Sequence, residues 1–65
     1  MKLTKVRALM VEREIKQAEI AAELKVSRSH VSGVLYGRWR SRRVVECIAR
    51  RLEMPVERLF PDYAA

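Results

Sequence analysis

The segment Gln17–Arg38, QAEIAAELKVSRSHVSGVLYGR, divides into two short apolar-periodic stretches around a tight turn. Ile20, Ala21 and Leu24 recur at i, i+1 and i+4, and Val31, Val34 and Leu35 at i, i+3 and i+4. Both are helical spacings, and each gives one apolar stripe. Val26 falls in the turn between them. Two helices that cross steeply over so short a turn need a residue without bulk at their closest approach, and Ala21 supplies one. The spacing predicts a helix-turn-helix unit.

The flanking sequence extends this pattern. A first helix is expected over 4–14, with Thr4 as its N-cap and Val6, Leu9 and Met10 as its apolar stripe. The two helices of the central unit are expected over 17–24 and 28–36. Ser27 caps the second, and Gly37 follows it at a position suited to left-handed backbone. Arg38–Arg40 form a short loop. Ser41 caps a fourth helix that runs to Leu52, with Val44, Ile48 and Leu52 facing the core at i, i+4 and i+8. Pro55 opens a last short helix that ends near Phe60, where Pro61 stops it. No stretch alternates polar and apolar residues long enough to form a strand. The expectation is an all-α, compact five-helix domain spanning residues 1–65.

Composition narrows the class. A chain of 65 residues makes one small domain, and at roughly 60 residues only about 60% of the extended surface is buried on folding. Cys47 is the lone cysteine, so it makes no disulfide within the chain and anchors no metal cluster. No apolar run approaches the roughly 20 residues that span a bilayer. The N-terminal MKLTKVRALMVERE is interrupted by charge every few residues and lacks a signal-peptide core. A cytoplasmic location is therefore expected, with no membrane partner. The formal net charge is +6, with 14 Lys and Arg against 8 Asp and Glu. In so small a domain this balance predicts a polyanion partner. Between Glu23 and Glu46 there is no acidic residue, whereas Lys25, Arg28, Arg38, Arg40, Arg42 and Arg43 all fall there. A merely solvated face would mix the two signs.

In their order, these elements resemble the phage repressor and Cro family of DNA-binding domains, most closely its small Ner-like regulators from transposable phages. Two segments carry the resemblance. One is the helix-turn-helix quoted above, and the other is the tail IARRLEMPVERLFPDY, Ile48–Tyr63. Together they cover about Thr4 to Tyr63. The resemblance implies a repressor-like helix-turn-helix domain. It also implies binding as two-fold dimers, as in repressors, or as side-by-side monomers, as in Ner-like members, so a homodimer on DNA is expected. Many members have glycine in the turn where this chain has Lys25. Left-handed backbone there costs a non-glycine residue roughly 1 kcal/mol or more.

A recognition helix points the side chains of its N-terminal half at base edges in the major groove. The candidate base-reading residues are Arg28, Ser29, Ser32 and Gly33. Arg28 is the strongest, because a guanidinium can bond O6 and N7 of guanine together; the alternative is a phosphate contact. Gly33 either permits close approach to the groove wall or leaves a position unread. Few side chains then read bases, and DNA shape supplies part of the specificity. By resemblance, Gln17 bonds a phosphate and braces the recognition helix, and the loop after that helix follows the DNA backbone. The candidate phosphate contacts are Gln17, Lys25, Ser27, His30, Tyr36, Arg38, Arg40, Arg42 and Arg43. Trp39 either packs on the edge of the core or stacks against sugar-phosphate, and Cys47 is read as a small core residue. Val56, Leu59, Phe60 and Tyr63 either complete the core or offer a self-association patch.

The expected partner is double-stranded DNA, and the expected role is that of a transcriptional repressor acting at a nearby promoter. An antitoxin-like or other protein-interaction module with secondary DNA binding is the alternative. It would need an extra arm or an exposed apolar patch, and the tail is short. The few scattered aromatics do not make the stacking platform of a sequence-specific RNA reader. One His and one Cys supply no nucleophile–base set, so no enzyme, cofactor, metal or small-molecule ligand is expected.

Overall fold

The computed structural model describes Met1–Tyr63. The chain forms α1 (Leu3–Glu12), α2 (Gln17–Leu24), α3 (Arg28–Leu35), α4 (Arg42–Leu52) and α5 (Val56–Leu59), followed by a 3₁₀ turn over Pro61–Tyr63. The helices begin where local chemistry starts them. Ser27 Oγ accepts from the His30 amide at 3.1 Å, and Ser41 Oγ accepts from the Val44 amide at 3.5 Å. Both satisfy a first-turn N–H that no carbonyl can reach. Helix α1 departs from expectation. Lys2, not Thr4, is its N-cap, and no side chain caps it. The Lys2 carbonyl accepts from Lys5 and Val6, so the helix starts one residue before Thr4. Likewise Pro61 does more than stop α5: the Tyr63 amide bonds the Phe60 carbonyl at 2.9 Å and closes a further turn.

The ends of α1 to α4 share one device. The backbone turns left-handed at Glu14, Lys25, Gly37 and Glu53 in turn. At each, that residue's amide bonds back three residues, and the next amide bonds back five. The outer bonds are Ile15 to Met10, Val26 to Ala21, Arg38 to Gly33 and Met54 to Ala49. This is a Schellman termination, which satisfies otherwise orphaned carbonyls. Only Gly37 adopts the conformation without steric cost; for Glu14, Lys25 and Glu53 it costs roughly 1–2 kcal/mol each. A compensating apolar contact follows three of the four ends, because Ile15, Val26 and Met54 pack against the core. Arg38 occupies the corresponding position after α3.

The predicted apolar stripes converge on one core. Val6 and Met10 of α1, Ile20 and Ala21 of α2, and Val31, Val34 and Leu35 of α3 are all buried. So are Val44, Ile48 and Leu52 of α4. Burying each large aliphatic side chain stabilises the fold by roughly 1.5–3 kcal/mol. Helix α2 makes its most extensive contact with α3 across the Lys25–Ser27 turn, and α4 packs against α2, α3 and α5. Leu59 and Phe60 are buried in the same cluster, while Val56 and Tyr63 pack on its margin. Of the two readings of the tail, Leu59 and Phe60 follow the first, since both are buried in the chain's own core. Among the described residues no helix is long and apolar enough to cross a membrane.

Candidate nucleic-acid interface

The N-terminal turn of α3 opens onto a groove of about 820 Å³ that runs between α3, the start of α2 and the end of α1. Arg28, Ser29, Ser32 and Gly33 line it from α3, and Gln17 and Ala18 from α2. Arg7, Met10, Val11 and Glu14 line it from α1 and its end, with Ile15, Lys16 and Arg38 completing the wall. Arg7, Lys16, Arg28 and Arg38 are its cations, and Glu14 is its one carboxylate. The side chains of Lys16, Arg28 and Arg38 take no hydrogen-bond or ion-pair partner among the described residues. The amides of Gln17 and Ala18 likewise find no protein acceptor among those residues. Unpaired N–H groups at a helix start, next to unanswered cations, make a surface suited to an anion.

Arg7 and Lys16 were not among the sequence candidates. Arg7 is the better organised. Its Nη1 donates to the Leu35 carbonyl at 3.1 Å, and its guanidinium lies 4.0 Å from the centroid of the Tyr36 ring. One side chain thereby ties α1 to the C-terminal end of α3 and keeps further N–H donors for an anion. The only signal in the sequence is its place beside Val6 on the border of the apolar stripe, where long basic side chains often lie. Tyr36, expected inside α3, instead caps it, and is 58% exposed beneath Arg7. Its position makes it a support for the guanidinium.

Gly33 has a packing role. It is buried, and a Cβ at this position would fall under 3.0 Å from Cζ2, Cε2 and Cη2 of Trp39. The indole lies across α3 in the space a side chain would fill. Its Nε1 donates to the His30 carbonyl at 3.1 Å, and its ring stacks with the His30 imidazole at a centroid distance of 5.9 Å. Gly33 therefore offers a ligand only backbone, and His30 sits on the flank of α3 next to Trp39. The sequence spacing could not show this, because nothing local relates position 33 to position 39.

The post-α3 arginines separate. Arg38 reaches the groove. Arg40 donates to the Asp62 carbonyl at 2.7 Å and lies over the Tyr63 ring. Arg42 donates to the Tyr63 carbonyl at 2.8 Å and pairs with Glu46 at 3.3 Å. Arg43 donates to the Leu24 carbonyl at 3.2 Å. Ser41 adds a backbone donor to the Tyr63 hydroxyl at 3.1 Å. Arg40, Arg42 and Ser41 therefore fasten the C-terminal turn to the start of α4, and Arg43 fastens α4 to the end of α2. Lys25 and Ser27 are exposed at the α2–α3 turn, outside the groove lining.

On the opposite flank, α2 and α4 are joined by a closed charge network. Arg50 bonds Glu23 Oε2, Arg51 bonds Glu23 Oε1 at 3.0 Å and Arg51 also pairs with Glu19 at 3.3 Å. The buried Cys47 thiol donates to Glu23 Oε2 at 3.1 Å. That thiol and Arg51 hold the Glu23 carboxyl below its ordinary pKa. Burial, reinforced by the neighbouring carboxylate, pushes the Cys47 thiol up, so it remains a donor at neutral pH. Cys47 is thus the small core residue expected, with one polar partner added.

Comparison of the chain with protein-family models, with curated proteins and with solved structures returns no match.

Proposed function

We propose that the protein is a sequence-specific double-stranded DNA-binding regulator, a repressor acting at a promoter near its own gene, with α2 and α3 as a helix-turn-helix and α3 in the major groove. One observation carries the reading: the first two turns of α3, with Arg28, Ser29 and Ser32, line a groove whose cations Lys16, Arg28 and Arg38 have no protein partner among the described residues. A helix with its side chains is about 10–12 Å across, and the major groove is about 12 Å wide. With α3 seated there, Arg28 bonds O6 and N7 of a guanine. Ser29 and Ser32 add weaker contacts, since a hydroxyl donates and accepts alike. Gln17 and the first amides of α2 meet a phosphate, as the resemblance to repressors also implies. Arg7, Lys16 and Arg38 extend the contact along the backbone. With so few base contacts, sequence-dependent DNA shape supplies the remaining selectivity. Occupancy follows protein concentration, with no small-molecule effector. A homodimer on DNA would meet through surfaces other than Leu59 and Phe60.

The test is selection from random duplex DNA at about 150 mM salt, a concentration at which purely electrostatic binding is already weakened. An enriched motif supports the reading. An inverted repeat within it indicates a dimer, and a single or direct site indicates monomers. Salt-sensitive binding without a motif, or no binding, overturns it.

A further inference from the structure

Trp39 is an aromatic residue held firmly in place and yet left 43% exposed. Three contacts hold it, the bond from Nε1 to the His30 carbonyl, the His30 ring and the bare backbone of Gly33. Glycine within a helix is the least favourable ordinary residue after proline, so the chain keeps it at 33 against helix propensity. Core packing does not account for this arrangement: Trp39 belongs neither to the buried cluster, where Val31 and Leu35 are 0% exposed, nor to the partly buried side chains packed on its margin. What is built here is a fixed apolar surface beside the first turns of α3. Its position is specific. Gly33 lies one turn after Ser29, so the indole covers the face that continues directly from Ser29. The one polar atom of the indole already has an acceptor. It has no donor left for a phosphate and can offer only apolar contact. In the major groove the apolar feature at the base edges is the 5-methyl group of thymine.

We propose that Trp39 is a specificity-determining residue whose indole packs against a thymine methyl at the edge of the α3 contact. This rests on the DNA-binding reading above and adds to it a base preference that the polar residues of α3 cannot supply. His30 and Gly33 act as positioning residues for the indole.

The experiment uses the full chain and the duplex selected from random DNA, with each thymine replaced in turn by deoxyuridine, which lacks only the methyl. Wild-type protein is expected to lose about fourfold in affinity at one thymine, the equivalent of one buried methyl, and to be insensitive at the others. Trp39→Leu should lose that sensitivity at the same position while its circular dichroism stays helical. Gly33→Ala keeps the indole but displaces it, and should also lose the sensitivity. The sole tryptophan gives a readout without any variant: the selected duplex should shield it from acrylamide quenching. A selected motif with no methyl-sensitive thymine, or a sensitivity that survives in Trp39→Leu, overturns the role of Trp39 and leaves the regulator reading standing. Failure to select any motif overturns the regulator reading itself, and this proposal with it.

Discussion

Two flanks of α2 use the same residue types to opposite ends. On the α4 side, Glu19 and Glu23 meet Arg50 and Arg51, and Cys47 adds a thiol donor. On the α3 side, Lys16, Arg28 and Arg38 line a groove with no such partners among the described residues. Both flanks contribute to the same net charge of +6. That sum does not distinguish the two flanks; the pairing state of each cation does. Arg50 and Arg51 are neutralised by their own chain, whereas among the described residues Arg28 and Arg38 keep all their donors. Arg40, Arg42 and Arg43 fall between the two cases, each spending part of its fork on a backbone carbonyl.

Breaking this contrast should have its largest effect at Arg28. Arg28→Ala is expected to relax base preference at one operator position and to cost about 1–3 kcal/mol of discrimination there, with thermal stability unchanged. Binding to a set of single-base variants of the selected duplex checks it, and an unaltered preference would remove Arg28 from the base-reading residues. Next comes Arg38→Ala, which should weaken all sequences alike and lower the slope of log affinity against log salt by about one. Arg42→Ala is the control, since Tyr63 and Glu46 already engage that side chain, and it should move the slope less. Equal slopes for the two variants would erase the distinction between available and engaged arginines.

Two smaller effects sharpen the comparison through stability. Lys25 adopts φ 58 and ψ 43, a conformation open to glycine without strain. Lys25→Gly should stabilise the fold by about 1 kcal/mol or less after the added chain entropy of glycine is counted, read as a higher urea midpoint. An unchanged or lower midpoint would mean that the left-handed turn is not strained. On the paired flank, Glu23→Gln should lower Tm modestly at pH 7, since ion pairs this exposed are screened. The sign with pH follows from the lowered Glu23 pKa. The contribution is fully present above the ordinary carboxyl value of 4.5 and is lost as pH falls through the lower folded value. The Tm gap between wild type and Glu23→Gln should therefore close in acid. A gap that persisted unchanged below that range would show that the carboxylate charge is not what matters.

Much of the fold is legible in the chain. The bounds of α2 are as expected, and Ser27 and Ser41 cap the helices they precede. The buried positions of α3 and α4 follow their i, i+3 and i+4 spacing. The site is legible in part. Gln17, Arg28, Ser29, Ser32 and Arg38 share one groove; Arg7 joins them with no signal beyond its place beside Val6, and Lys16 with none. His30 and Gly33 turn out to serve the seating of Trp39.

The division has a physical cause. Caps, apolar stripes and turns depend on atoms within about five residues of one another, so composition and spacing carry them. The sequence by itself therefore determined the all-α class, the positions of the helices and the concentration of positive charge between Glu23 and Glu46. Pairing depends on which distant segments the packed helices bring together. Arg43 meets a carbonyl 19 residues away, and Arg51 meets a carboxylate 28 residues away. Only the tertiary structure decided which arginines are engaged, why position 33 is glycine and that Leu59 and Phe60 belong to the core.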